Sequence, residues 1–177
     1  MAATQTAPIE FAGEVSTLGD RTIIRLSPDA SAELPSRGQV AAEAVVGDAR
    51  FATVVEPDGM RGHWLNLDDV AGLEDGETVS VTLTPTKDWP EVSVPEDLAS
   101  ALATAGDLDD TWASLTPMAR WEWVRWIKAT KNPATRAKRV GVAIDKLENG
   151  KRRPCCFDLS SCTDPELSKS GKLIDFR

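Results

Sequence analysis

The side chains with the clearest chemical potential lie on two successive helical segments in the second half of the chain. Trp121, Arg125 and Lys128 are spaced i, i+4 and i+7, so one helix face would carry an indole beside two cations. This face could stack on a flat or anionic ligand, or it could pack against the rest of the protein. Arg136 follows at the border of an apolar stripe, and Arg139 lies a little further round the same helix. A half-buried guanidinium needs a carboxylate or an anionic ligand, and both alternatives stay open.

Residues that commonly carry catalysis or bind metals are few. His63 is the only histidine, and the sequence has no Gly-x-Ser-x-Gly turn, dinucleotide-binding glycine motif or Walker loop. We therefore predict no catalytic residue and no cofactor. Cys155, Cys156 and Cys162 lack the spacing of a zinc knuckle, so we predict no metal site. The basic residues 151–153 would favour a thiolate, which makes a redox role of Cys155 or Cys156 the alternative to a plain reduced tail.

Charge is distributed unevenly along the chain. The 20 basic and 28 acidic residues give a net charge of −8. Residues 1–86 contain 5 basic and 14 acidic side chains, whereas residues 120–153 contain 11 basic and 3 acidic ones. Two interpretations follow for the basic stretch: its cations pair within the protein, or they meet an anionic partner.

The first half of the sequence has the pattern of a small β-barrel. Six segments rich in β-branched or alternating apolar residues are separated by turns that contain Gly or Asp, and they predict six strands. These strands are Ile9–Ser16, Arg21–Leu26, Val40–Val46, Arg50–Val55, His63–Leu67 and Thr78–Thr84.

The connections after the second and fifth predicted strands are alike. Each begins with residues that favour a helix start, Ser27-Pro28 or Asp68-Asp69, then passes a leucine, Leu34 or Leu73, and reaches a glycine, Gly38 or Gly76. The order strand, strand, short helix, strand is therefore predicted twice. Two such units interlocked about a pseudo-twofold axis would form one six-stranded barrel without exposed edges.

Helical signals begin at Val94. Proline and cap residues predict one helix up to Gly106, a second over Asp109–Leu115, a third after Thr116-Pro117, and a fourth from Asn132-Pro133 to Asn149-Gly150. The fold class is therefore α+β. We expect a barrel domain at 9–86, a linker at 87–93, a helical domain at 94–150 and a basic, cysteine-containing tail at 151–177.

Helical periodicity also predicts which faces of the last two helices are buried. On the third helix the expected core residues are Ala119, Trp123, Val124, Trp126 and Ile127. On the fourth they are Ala137, Val140, Ile144 and Leu147.

Two stretches of the chain resemble known families. Trp123–Lys128 (W-V-R-W-I-K), followed by K-N-P-A-T-R-A-K-R-V at 131–140, resembles the helical region of the YdeI/OmpD-associated, or bacteriocin-protection, proteins. The Leu-Ser-Pro step at 26–28 and G-L-E-D-G-E-T-V-S-V at 72–81 resemble the small barrel domain of unknown function that often precedes that region. Together these resemblances extend over residues 9–150. They imply a theme of resistance to bacteriocins or cationic peptides, and they imply no active site.

The segment 73–79 is also similar to the barrels of AbrB-type regulators, which bind DNA through basic loops. The acidic composition of residues 1–86 argues against DNA binding by this barrel.

We therefore expect a non-catalytic binding protein whose ligand is a small molecule, held between barrel and helices, or a cationic peptide attracted to the barrel. The alternative is a nucleic-acid-binding regulator that uses the basic helical face. An enzyme would need a polar pocket, which one sequence does not reveal. The chain has no apolar run long enough to span a membrane and no signal-peptide pattern, so a cytoplasmic location is expected. Nothing in the sequence predicts the oligomeric state.

Overall fold

A computed structural model describes residues 6–154, 163–170 and 172–174. The described residues form two compact units. The first contains residues 6–89, 163, 167–170 and 172–174, and the second contains residues 90–154 and 164–166. The chain therefore leaves the first unit, builds the second, and returns to the first near its C-terminus.

The first unit is a closed antiparallel barrel of six strands, which confirms the prediction. The strands are β1 (Ile9–Leu18), β2 (Arg21–Arg25), β3 (Val40–Val46), β4 (Ala49–Pro57), β5 (His63–Asn66) and β6 (Thr78–Pro85). Their order around the barrel is β1-β2-β5-β4-β3-β6, and β6 pairs again with β1. Every strand therefore has two hydrogen-bonded neighbours, and the sheet has no open edge.

The strand order has the symmetry expected of an internal repeat. Exchange of β1 with β4, β2 with β5 and β3 with β6 leaves the order unchanged. A short helix, α1 (Pro28–Glu33), follows β2, and the hydroxyl of Ser27 caps it by accepting from the Ala30 amide at 3.3 Å.

The prediction of a matching helix in the second repeat is wrong. Residues 67–77 form turns. Asp68, at the expected cap position, instead accepts hydrogen bonds from the Thr22 amide and from Arg21 Nε. Gly72 has φ +79°, a left-handed conformation that ends any helical turn there. The Asp68 carboxylate, which would cap a helix, therefore binds β2 instead, and no helix follows it within residues 67–77.

Apolar residues fill the barrel interior, and two strands are also buried on their outer side. Ile24 and Leu65 point into the interior core, whereas Ile23 and Trp64 belong to a separate cluster with Leu18. Leu167 and Leu173 complete that cluster. They belong to a small C-terminal hairpin of β7 (Ser168–Lys169) and β8 (Lys172–Leu173): Leu167 directly precedes β7, and Leu173 lies in β8.

The second unit contains the four predicted helices. They are α2 (Glu96–Thr104), α3 (Leu108–Ser114), α4 (Pro117–Lys128) and α5 (Pro133–Glu148). Thr116 caps α4 by accepting from the Ala119 amide, and Asn132 caps α5 by accepting from the Ala134 and Thr135 amides. None of the helices in the described part of the chain is long and apolar enough to cross a membrane.

The core of the helical unit follows the predicted α4 face. Ala119, Trp123, Val124 and Ile127 are buried, and Trp126 packs against them with its ring edge-on to Trp123 at 6.0 Å.

The predicted α5 stripe is only partly correct. Val140 and Leu147 are buried and Ile144 is half-buried, but Ala137 is exposed and Ala143 is buried. The buried α5 positions are 140, 143 and 147, so the expected stripe was wrong at Ala137 and missed Ala143.

Candidate functional site

Trp121 and Arg125 lie one turn apart on α4 and contact each other. The guanidinium carbon of Arg125 is 5.2 Å from the centre of the Trp121 ring, which is a cation–π distance. Trp121 is half-buried, and Lys128, one further turn along, is exposed. Trp121 and Arg125 therefore form a preassembled aromatic–cation pair, and Lys128 adds a second positive charge beside them.

Arg136 has a carboxylate partner within the helical unit. Its Nε is 2.6 Å from Asp97 Oδ2, and its Nη2 is 3.1 Å from Oδ1. The hydrogen bonds from Arg136 lower the pKa of Asp97, and those same bonds raise the pKa of Arg136. Of the two alternatives left open for this guanidinium, the described contacts provide the ion pair.

Arg139 is also engaged within this unit. Its Nη1 donates to the carbonyl oxygen of Trp126 at 2.9 Å, and its Nη2 forms an ion pair with Glu166 at 2.9 Å. The guanidinium of Arg139 and the ammonium of Lys146 lie 5.6 Å and 5.9 Å from the centre of the Trp126 ring. Five candidate residues thus separate into two groups: Trp121, Arg125 and Lys128 on α4, and the carboxylate-paired Arg136 and Arg139 on α5.

Other cations of the 120–153 stretch stabilise the helical unit. Arg120 donates to the Ala113 and Leu115 carbonyl oxygens, and Arg152 donates to that of Ser114, so both satisfy the C-terminal end of α3. Arg153 makes a two-pronged ion pair with Glu122.

Glu122 is a buried charged residue that the sequence analysis missed. Its side chain is only 1% exposed. A signal was present, because a helical wheel places position 122 at the border of the arc that contains Ala119 and Trp126. Together with the pairs of Arg136 and Arg139, the Glu122–Arg153 pair supports the interpretation that much of this basic stretch is paired internally.

His63 lies in a buried polar cluster that the sequence also did not reveal. Its Nδ1 is 2.7 Å from Ser31 Oγ, and its Nε2 is 2.9 Å from the carbonyl oxygen of Gly38. Because a carbonyl oxygen only accepts, we assign the proton to Nε2, and Nδ1 then accepts from the Ser31 hydroxyl. Arg37 donates to the same hydroxyl at 3.3 Å and to the Ser31 carbonyl oxygen.

A serine beside an imidazole nitrogen is an arrangement that can activate a nucleophile. Here Ser31 and His63 are 2% and 1% exposed, so neither side chain is open to a substrate. Burial lowers the pKa of His63, and the charge of Arg37 lowers it further, whereas the Gly38 carbonyl and the charge of Asp58 raise it. The cluster therefore joins α1 to β5 through a neutral histidine.

Acidic side chains gather at one end of the barrel, where two loops lie side by side. The Thr17 amide donates to Asp75 Oδ1 at 2.7 Å, and Arg21 forms an ion pair with Asp68 at 2.7 Å. The Gly76 amide donates to the Val15 carbonyl oxygen at 2.8 Å, which fixes the second loop against β1. We call this region the acidic end; its exposed carboxylates are Glu14, Asp20, Asp68, Asp69, Glu74, Asp75 and Glu77.

Cys155 and Cys156, the candidate redox residues, lie outside the described residues. Within the described ranges, no group of three or more His, Cys, Asp and Glu side chains could hold a metal ion.

Two family models match this chain. The model for a domain of unknown function, DUF1905, matches residues 6–83, which form the barrel. The model OmdA, described as bacteriocin-protection, YdeI or OmpD-associated, matches residues 91–150, which form the helical unit. The chain therefore contains a DUF1905 domain followed by an OmdA domain, which confirms the family resemblance. No curated protein matches the chain.

Proposed function

We propose that this protein is a non-catalytic binding protein that captures cationic peptides at the acidic end of its barrel. The observation that carries the proposal is the charge of the two adjoining loops, 18–21 and 67–77. Their sequences contain six carboxylates and one cation, Arg21, which is already paired with Asp68. Glu14 on β1 adds a seventh exposed carboxylate beside them.

Several carboxylates within about one Debye length, ~8–10 Å, produce a summed negative potential that attracts polycations. The loops hold this charge in place through backbone hydrogen bonds, so little ordering is required on binding. The bacteriocin-protection description of the OmdA family agrees with a cationic peptide as the ligand class. The alternative ligand within this proposal is a small molecule. We place the binding event in the cytoplasm, where the cysteines would remain reduced.

The test is binding of a fluorescent lysine- and arginine-rich peptide, followed by anisotropy over a range of salt concentrations. Asp69→Lys with Glu74→Lys reverses two charges at the acidic end. Glu10→Lys with Glu33→Lys makes the same change in net charge at the other end of the barrel. We expect the first pair to weaken binding at low salt by about tenfold or more, and the second pair to weaken it far less.

Equal effects of the two double variants would show that net charge alone attracts the peptide. Wild-type protein that fails to bind any such peptide at low salt would contradict the proposed function itself.

A second candidate function is binding of an anionic, base-containing ligand such as single-stranded nucleic acid on α4. The observation that favours it is the 5.2 Å cation–π pair of Arg125 and Trp121, which resembles a stacking platform. Lys128→Glu should then weaken oligonucleotide binding at low salt, whereas Lys138→Glu on α5 should weaken it less. A gel-shift series without any binding at low salt would remove this candidate.

A further inference from the structure

The outer side of β2 and β5 carries an apolar surface that the C-terminus of the same chain covers. We call Leu18, Ile23 and Trp64 the outer apolar face, and we call Thr163 with residues 167–170 and 172–174 the C-terminal strap. Trp64 is fully buried, although its neighbour Leu65 is the residue that points into the barrel.

The strap binds this face much as a separate peptide would. Leu167 and Leu173 contribute the apolar contacts, and Thr163 Oγ1 accepts the Trp64 indole N–H at 2.7 Å. The Leu173 amide donates to the Asp58 carbonyl oxygen at 2.8 Å. These contacts specify the ligand chemistry that the face accepts: two aliphatic side chains, one hydroxyl acceptor and a backbone amide.

The barrel itself is complete without the strap. Strands β7 and β8 pair with each other, whereas the six barrel strands close their own hydrogen-bonding ladder. The interior core includes no strap residue. The family model that matches the barrel covers residues 6–83, and the strap lies outside that match.

The geometry points to the outer apolar face as a peptide-docking surface for which the strap is a displaceable internal ligand. When the strap leaves, an exposed patch centred on a tryptophan remains, which is the type of surface that binds protein segments. The partner is a peptide segment with two aliphatic side chains and a hydroxyl placed as in the strap. Such a partner must compete with the strap, which is present at high effective concentration because it belongs to the same chain.

The experiment uses the full chain and a synthetic peptide of residues 163–174. The variant Leu167→Ala with Leu173→Ala weakens the strap, and Lys169→Ala with Lys172→Ala changes the exposed side chains of the same segment. We expect the peptide to bind the leucine variant at least about tenfold more tightly than it binds wild type or the lysine variant. A peptide in which both leucines are alanine should not bind.

Equal affinity for all three proteins, or no binding to the leucine variant, would overturn the inference. Unfolding of the barrel in the leucine variant, seen by circular dichroism, would overturn it as well, because a displaceable ligand must leave its receptor intact.

Hydrogen exchange in the wild-type protein gives an independent test. The Trp64 indole proton depends on the strap, whereas the Val15 and Leu67 amides donate to Glu77 and Thr22 within the barrel. We expect the indole proton to exchange through local opening well before these amides. Exchange of all three at the rate of global unfolding would show that the strap is an inseparable part of the fold.

Discussion

The helical unit contains two two-pronged arginine–carboxylate pairs that differ chiefly in burial. In the first pair, the Glu122 side chain is 1% exposed and that of Arg153 is 33% exposed. In the second, Arg136 and Asp97 are 33% and 39% exposed. Arg153→Met removes the partner of a buried carboxylate, whereas Arg136→Met removes the partner of a solvated one. The same substitution therefore tests the effect of burial.

Loss of one partner from a buried pair typically costs about 3–5 kcal/mol, because the remaining charge has no compensation. Water already reaches a third of Arg153, so we expect the lower limit, about 3 kcal/mol, for Arg153→Met. This corresponds to a decrease in Tm of roughly 6–12 °C for a chain of this size. For Arg136→Met we expect about 0.2–1 kcal/mol, the usual range for exposed pairs.

The assay is urea unfolding followed by tryptophan fluorescence, which reports mainly on this unit because Trp123 lies in its core and Trp112, Trp121 and Trp126 also belong to it. A double variant, Glu122→Met with Arg153→Met, should recover most of the lost stability because no unpaired charge stays buried. A cost of Arg153→Met no larger than that of Arg136→Met would contradict this effect of burial, and so would a double variant less stable than Arg153→Met.

Three other outcomes are expected. The folded-state pKa of His63 lies below its unfolded value of about 6.5, so the unfolded chain takes up the proton first as the pH decreases. The free energy of unfolding of the wild type should therefore decrease as the pH is lowered from about 7.5 to about 5.5. In urea titrations, His63→Gln should weaken this pH dependence. Thr163→Val should cost about 1–3 kcal/mol, since the buried Trp64 indole N–H loses its acceptor, whereas Thr163→Ser should preserve most of the stability in the same titration. Gly141→Ala, in an open position of α5, should raise the Tm with a gain of about 0.5–1 kcal/mol, whereas Gly13→Ala should lower it, because a Cβ there would lie 2.8 Å from an Ile24 side-chain atom.

The short helix predicted in each copy of the barrel repeat forms in the first copy and not in the second, which shows the limit of local sequence patterns. Strand positions followed from alternation, and the Ser27-Pro28 start predicted α1 correctly. The same reasoning failed at Asp68, because its carboxylate is occupied by Thr22 and Arg21, 46 and 47 residues away in sequence. Asp68 could cap a helix or accept hydrogen bonds from β2, and the tertiary structure decides for the second.

Some signals in the sequence were present but indirect. Consecutive apolar residues at Ile23-Ile24 and Trp64-Leu65 break the alternation of a half-exposed strand and indicate burial on both faces. They do not say what covers the outer face, because the covering residues Leu167 and Leu173 follow Trp64 by about a hundred positions and Ile23 by about 150.

The sequence by itself determined the approximate positions of the six barrel strands and of the four helices of the second unit, because periodicity, caps and turns act between residues a few positions apart. It also placed Trp121 and Arg125 on one helix face. Only the tertiary structure decided that Arg136 and Arg153 meet carboxylates, that Ser31 meets His63, and that the strap covers Trp64. Each of those contacts joins residues separated by at least 30 positions, and the free energy of burying a charge or an indole depends on neighbours that no local pattern specifies.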